Sequence, residues 1–576
     1  MDNARTRYKK WCSQPEMDRA LALELKQIEN NDAEIEERFG APMSFGTAGL
    51  RSKMGAGISR MNVYTVALTT QALAQLILGS DAADRGCVIA CDSRNNSELF
   101  ARTAAQVLSA NGVKAYIFDE LRPTPELSFA VLKLGAIAGI NITASHNTKE
   151  YNGYKVYWED GAQLSPDHAR KVSEAAEKID IFDGPKTIPF EEGIKAGRII
   201  TIGKEIDESY LDAVLGCRIV PETLRRYGND LKIVFTPLHG CGWKAVPQAL
   251  RMAGVSDFVT VPEQMIPDGG FPTVVSPNPE NPEALEMAIK LASARGSLLV
   301  LGTDPDSDRV GAAVPAKDGS YKVLSGNQMG ALLLDYIIKE KKRLNALPAN
   351  ACAIRSVVSS DLFGAIARAN GVEPVEVLTG FKYIGEKIKE YEKDGSHTFL
   401  LGYEESHGYL SGTYARDKDA VAACLLLAEC ASAHHAEGRT LLDALEELYE
   451  RYGYYEEGAV TVTTDAEGRE NTMRKLRVTV PERIASSRIV AVSDFLKGTR
   501  TASDGRSVPT GLPLTDMIRF ELEDGSFVII RPSGTEPKIK AYILVKADSA
   551  KRAAELCAEY TAAAASMLKG TGKIQN

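Results

Sequence analysis

Residues 87–147 read CVIACDSRNNSELFARTAAQVLSANGVKAYIFDELRPTPELSFAVLKLGAIAGINITASHN. Cys87–Cys91 is a short apolar strand, Asp92–Ser97 a polar loop, and Glu98–Ala110 a helix that Asn111-Gly112 closes, both being residue types that tolerate a left-handed helix end. Val113–Phe118 is a second strand. A proline-rich turn, Arg122–Pro125, leads to helix Glu126–Leu134. The third strand, Ala136–Ile142, runs straight into Thr143-Ala144-Ser145-His146-Asn147. Strands alternating with helices in this way predict a sheet with parallel strands and helical crossovers.

The same order returns twice. Strand Lys232–Phe235, loop Thr236–Gly242, a helix ending before Gly254, strand Phe258–Val261, helix Pro282–Ala294 and strand Ser297–Leu301 deliver Asp304-Pro305-Asp306-Ser307-Asp308. Strand Ala353–Val358, a helix ending at Gly371, strand Pro374–Val377, helix Tyr383–Glu392 and strand Thr398–Leu401 deliver Gly402-Tyr403-Glu404-Glu405-Ser406-His407. In each unit the most unusual polar cluster follows the carboxyl end of the third strand, where open α/β sheets bind ligands. Upstream, Met17–Phe39 reads as one charged helix.

After Tyr455 the texture changes to closely spaced strands (Val460–Thr464, Arg488–Leu496, Met517–Leu522, Ser526–Ile530, Ala541–Lys546) and an Ala-rich helix, Ser549–Leu568. The predicted class is therefore α/β: three similar α/β domains with mixed sheets plus a C-terminal α+β domain. The expected domains are 1–215, 216–318, 319–452 and 453–576.

Composition narrows the function. A net charge of −9 leaves no basic surplus for nucleic acid or an anionic membrane, though a local pocket for a small anion is compatible with it. Nine cysteines without a C-x-x-C pair predict reduced thiols. The chain opens without the apolar core of a signal peptide, and runs such as Ala420–Leu427 are too short to span a bilayer, so the expectation is a soluble, cytoplasmic protein.

Asp304, Asp306 and Asp308 alternate along a loop that Pro305 keeps out of helix. Period-two spacing in extended chain would point all three carboxylates one way, and a hard divalent cation relieves their repulsion. An EF-hand does not fit, because Arg309 and Pro315 stand where its Gly and Glu belong. The plain alternative is a solvated acidic turn. Ser145, on a strand-end turn, suits a nucleophile, while an isolated serine there more often caps a helix. No G-x-S-x-G elbow is present, and adjacent Ser145 and His146 side chains are not expected to face each other. Arg531-Pro532-Ser533-Gly534-Thr535 holds the parts of a phosphate cradle, or of a simple turn. Gly402–Gly408 concentrates groups able to hydrogen-bond sugar hydroxyls, or forms a polar surface loop; His239 reads as structural.

Taken together, Thr143–Lys155 (TASHNTKEYNGYK), Asp304–Arg309 (DPDSDR), Gly402–Gly408 (GYEESHG) and Arg531–Lys538 (RPSGTEPK), preceded by Phe45–Arg51 (FGTAGLR), resemble the α-D-phosphohexomutase superfamily in kind and in order. The resemblance implies four domains around a central cleft and a phosphorylated Ser145. It also implies Mg²⁺ held by Asp304, Asp306, Asp308 and a phosphoserine oxygen. Arg51, His146, Lys155 and Arg309 would surround the transferring phosphoryl group. Thr379, Gly380, Lys382, Glu404, Ser406 and His407 would hold the sugar, and Arg531, Ser533, Gly534 and Thr535 the other phosphate. His407 departs from a Gly-His order found in some members, which leaves Lys155 as the acid–base candidate. The implied reaction interconverts hexose 1- and 6-phosphates, glucose favoured over mannose or a pentose, with a sugar bisphosphate such as glucose 1,6-bisphosphate as activator. The expected partner is a small phosphosugar alone, bound by a monomer or homodimer. A non-catalytic sugar-phosphate binder and a phosphatase are the rival readings.

Overall fold

A computed structural model describes residues 4–43, 45–46, 49–533 and 538–569, with the backbone of 573–575. The chain divides into two compact units. The first comprises residues 1–325, 385–395 and 406–438; the second comprises 326–384, 396–405 and 439–576.

In the first unit, strands Cys87–Cys91, Ala115–Phe118, Ala138–Ile142 and Ile199–Ile202 pair in parallel. Helices Ser97–Ala110 and Thr124–Leu134 connect the first three. Pro125 in the first turn suits the start of the second helix, and Gly135 ends it at φ 62°, a left-handed position that favours glycine. After Ser145 the chain returns as an antiparallel strand, Tyr151–Trp158, which pairs with Ala138–Ile142 and then with Leu50–Lys53. The sequence shows no turn dipeptide that would announce this return. A second sheet repeats the device. Strands Ile233–Thr236, Phe258–Thr260 and Val300–Thr303 are parallel, and Val310–Pro315 folds back against Val300–Thr303 with Thr303 opposite Val310. Ser145 and the three aspartates therefore each sit where a buried parallel strand turns into an antiparallel one.

Several boundaries move by a few residues, three of them for a readable reason. The expected helix Met17–Phe39 is two, Arg19–Gln27 and Asp32–Phe39, because Asn31 caps the second by accepting the Glu34 N–H. The expected helix Pro282–Ala294 starts as a 3₁₀ turn, Pro282–Leu285, and is α-helical over Glu286–Arg295. Ser297 then spends its N–H on the Ala292 carbonyl, so the following strand begins at Val300, not at Ser297.

In the second unit, strands Ala351–Ser356, Glu373–Val377 and Thr398–Glu404 pair in parallel. A C-terminal antiparallel sheet carries helix Ala550–Met567 on one face. Its inward residues, among them Val462, Phe520, Val528 and Ile543, pack with Leu556 and Tyr560 of that helix.

Candidate active site

Asp304 to Arg309 do not run extended. Ser307 takes φ 53°, and the loop curls so that Asp304 Oδ1 accepts the N–H groups of Asp308 and Arg309. The curl, not period-two alternation, gathers the carboxylates: one oxygen from each of Asp304, Asp306 and Asp308 lies within 4.8 Å of the others. All three residues are buried. Two carboxylates at that spacing repel by about 3.5 kcal/mol at an effective dielectric constant of about 20.

Part of the charge is answered inside the protein. Lys155 Nζ donates to Asp306 at 2.7 Å and to Asp308 at 3.1 Å. The register that sets Asn141 opposite Lys155 brings this lysine to the base of the serine loop. Lys418 Nζ lies 3.3 Å from Asp308 and 2.9 Å from Asp417. Arg309 Nε adds a third cation 3.7 Å from Asp308. Burial alone would raise Asp308, but Lys155, Lys418 and Arg309 hold it below the usual carboxylate range. For Asp304 burial, then Asp306 and Asp308, outweigh Arg309 and push its carboxyl well up. Burial would lower Lys155, yet Asp306 and Asp308 outweigh it and hold the ammonium above its ordinary value.

Asp306 Oδ1 and Asp308 Oδ1 are buried and accept no hydrogen bond among the described residues. Leaving a buried charged acceptor unsatisfied is costly, and oxygen ligands aimed into one small space suit a hard cation. The donor set fits a metal ion.

Ser145 meets this cluster directly. Its Oγ donates to Asp304 Oδ2 at 2.7 Å and lies 3.1 Å from His146 Nδ1. The left-handed backbone of Ser145, φ 52°, turns these neighbours toward each other, correcting the expectation that they would not meet. Burial, followed by Arg309 and Arg51, holds the His146 imidazole well below its ordinary value, so it is neutral near pH 7. Arg51 donates to Asn147 Oδ1 at 3.1 Å, and Arg309 pairs with Glu280 at 2.7 Å. His407 Nδ1 faces the Val310 carbonyl at 3.2 Å in a buried position, leaving Nε2 for any ligand. Ser406, in the same unit, is half-buried. His239 is structural as expected, tied to the Ile266 carbonyl and the Thr273 hydroxyl.

Within the second unit, Glu404 Oε1 accepts the Gly380 N–H at 2.7 Å. Glu405 accepts from the Ser356 hydroxyl at 2.9 Å. The Lys382 ammonium lies 4.6 Å from the centre of the Tyr383 ring. Thr379 Oγ1 and Arg531 Nε are buried without hydrogen-bond partners among the described residues. Ser533 N–H donates to the Lys538 carbonyl at 2.8 Å, closing the base of the loop. Gly534 and Thr535 lie outside the described residues.

Sequence reasoning missed Lys418, Thr124, Asp92 and Arg94. Thr124 donates to Asp306 Oδ2 at 2.8 Å. Lys418 was signalled by four consecutive charged residues, Arg416–Asp419, directly before an apolar run. Asp92 and Arg94 follow the carboxyl end of Cys87–Cys91, the same kind of position that drew attention to Ser145.

A buried serine hydroxyl thus meets a cation-ready aspartate trio in a chain of repeated α/β domains. Comparison with known proteins gives the family. The chain matches the phosphoglucomutase/phosphomannomutase alpha/beta/alpha domains I, II and III over residues 42–181, 208–318 and 325–452, and the family's C-terminal domain over 476–563. It is 37% identical over 532 residues to a phosphoglucomutase of Staphylococcus epidermidis strain RP62A, covering 91% of this chain and 95% of that one. A phosphoglucomutase of Staphylococcus aureus strain MSSA476 is 36% identical over 548 residues, with 92% and 96% covered. The fold also matches the open form of parafusin, a phosphoglucomutase from Paramecium, with TM-score 0.68, 17% identity and 94% and 98% coverage. A phosphoglucomutase/phosphomannomutase family protein from Burkholderia thailandensis gives TM-score 0.66 at 18% identity, with 92% and 98% covered. The chain belongs to the phosphoglucomutase/phosphomannomutase family. It is an enzyme, a phosphohexose mutase of the isomerase class. Among the described residues no helix is long and apolar enough to cross a membrane.

Proposed function

We propose that this chain interconverts glucose 1-phosphate and glucose 6-phosphate in the cytoplasm, with Ser145 carrying the phosphoryl group. The observation that carries the reading is Ser145 Oγ, 2.7 Å from a carboxylate of the aspartate trio. Support for glucose comes from the relatives, which are named phosphoglucomutases.

In this reading phosphorylated Ser145 meets a sugar monophosphate. The bond from phosphorus to Oγ breaks as one forms to a sugar hydroxyl, whose proton passes to the Ser145 Oγ that is left behind. The product is a sugar bisphosphate and a free serine. After the bisphosphate reverses, the opposite transfer restores phosphoserine and releases the isomer, so phosphate and protons balance over the cycle. Free bisphosphate, glucose 1,6-bisphosphate for this substrate, recharges any serine left bare. Asp304, Asp306 and Asp308 would hold Mg²⁺, which supplies charge neutralisation to the phosphoryl oxygens. Lys155, the acid–base candidate from the sequence, is held protonated by Asp306 and Asp308, so its part here is a fixed positive charge beside the phosphoryl oxygens. His146, neutral and 3.1 Å from Oγ, accepts the sugar hydroxyl proton and passes it to Oγ in the first transfer, and carries a proton the other way in the second. Arg51 and Arg309 bind the transferring group. Thr379, Gly380, Lys382, Glu404, Ser406 and His407 bind sugar hydroxyls, and Arg531, Ser533, Gly534 and Thr535 the phosphate at rest.

A coupled assay over glucose, mannose and ribose phosphates tests the substrate. Glucose is expected to give the highest kcat/KM; a higher value with mannose or ribose phosphate overturns the assignment. Sustained phosphate release without isomerisation would instead indicate a phosphatase.

A further inference from the structure

Beneath the left-handed backbone of Ser145 lies a side chain that touches no reacting atom. The Arg94 guanidinium is fully buried and wraps the underside of the serine loop. One terminal nitrogen donates to the carbonyls of Ser145 (2.5 Å) and Asn147; the other donates to those of Thr148 (2.9 Å) and Tyr151 (3.1 Å). Phe271 covers the guanidinium from another side, 5.0 Å away. Four converging carbonyls would repel one another without a cation among them, and only a planar fork reaches all four.

The fork is itself held. Asp92 lies 3.3 Å from Arg94 Nε and accepts the Arg94 N–H and the Ser97 hydroxyl. Its second oxygen accepts the Thr143 hydroxyl at 2.7 Å, and Thr143 Oγ1 accepts the Ser145 N–H at 2.8 Å. The peptide groups on both sides of the Ser145 Cα are therefore fixed by one buried ion pair, Thr143 from the amino side and Arg94 from the carboxyl side.

We propose that Arg94, clamped by Asp92 and working with Thr143, is the positioning residue that holds Ser145 Oγ against the aspartate trio for phosphoryl transfer. The inference rests on the mutase reading and adds to it a role for residues remote from the sugar. Lysine supplies the charge but a single point of attachment, so Arg94→Lys isolates the fork from the charge.

The test measures steady-state mutase kinetics and, by intact mass, the rate at which Ser145 gains phosphate from glucose 1,6-bisphosphate. For Arg94→Lys, kcat and the phosphorylation rate are each expected to fall by about 100-fold, the cost of a misplacement of order 1 Å, with KM changed by less than about threefold. Thr143→Val, which keeps the side-chain shape and removes both hydrogen bonds, is expected to lose about tenfold in kcat. Both rates are expressed per folded molecule, from thermal unfolding of the same samples. Should Arg94→Lys fail to fold, Thr143→Val alone decides. Unchanged kcat and phosphorylation rate per folded molecule overturn the proposal and leave Arg94 a purely structural tie. Undiminished turnover by Ser145→Ala would sink the mutase reading itself; an inactive Ser145→Ala beside a fully active Arg94→Lys would sink the positioning role alone.

Discussion

The two units each place paired acids at the carboxyl end of a buried strand, yet the acids are treated oppositely. In the first unit Asp306 and Asp308 each keep a buried oxygen that accepts no hydrogen bond among the described residues, while Lys155, Lys418 and Arg309 lie near the pair. In the second unit Glu404 and Glu405 accept from the Gly380 N–H and the Ser356 hydroxyl. Burial and then Glu404 raise Glu405, with Arg531 opposing them. An acid whose oxygens lack donors needs a cation from outside the chain. An acid met by amides and hydroxyls is already satisfied and offers its remaining lone pairs to a neutral, hydroxyl-rich ligand.

The largest expected effect removes the acceptor of phosphate. Ser145→Ala should lower kcat by about 10,000-fold or more, as loss of a covalent nucleophile does, with folding unchanged by circular dichroism. Next comes the metal. Chelation should abolish turnover, and Mg²⁺ at about 100 times its Kd should add about 2.7 kcal/mol of stability in thermal unfolding. Asp306→Asn should weaken that response by about 100-fold or more in Kd. Glu404→Gln should leave the Mg²⁺ response intact while lowering kcat/KM by about tenfold, the loss of roughly one charged hydrogen bond. Equal Mg²⁺ responses to the Asp306 and Glu404 changes would erase the contrast between the units.

The smallest effect concerns stability alone. Glu376, in the second unit, is paired with Arg355 at 2.7 Å and Arg519 at 3.0 Å. Burial alone would raise it, but the two arginines hold it below the usual range. A depressed carboxylate contributes stability above its unfolded pKa, about 4.3, and loses it as pH falls through the lower folded value. Urea unfolding at pH 7 and near pH 3 should show that loss in the wild type and a smaller one in Glu376→Gln.

The layout of strands, helices and loops could be read from the sequence because hydrophobic period and turn residues are local signals. Cys87–Cys91 was placed to the residue, and all three third strands were found at the right point in the chain. The aspartates were legible from spacing, although the left-handed Ser307 that gathers them was not, since nothing in D-P-D-S-D announces it. Arg94 and Lys418 were missed for a different reason. Their partners stand 51 and 110 positions away: the parallel pairing of Cys87–Cys91 with Ala138–Ile142 brings Arg94 to the serine loop, and no local signal places Lys418 beside Asp308. The antiparallel return at Tyr151–Trp158 was also invisible, as its buried pattern lacks the alternation of a half-exposed strand.

The central claim is that the Ser145 hydroxyl and the three aspartates share one dication. A crystal of the phosphorylated enzyme soaked in Mn²⁺ tests it through anomalous scattering. One peak is expected, about 2.1 Å from an oxygen of each of Asp304, Asp306 and Asp308 and from a phosphoserine oxygen. A peak held elsewhere, or one reached by the aspartates without the phosphoserine, would contradict it.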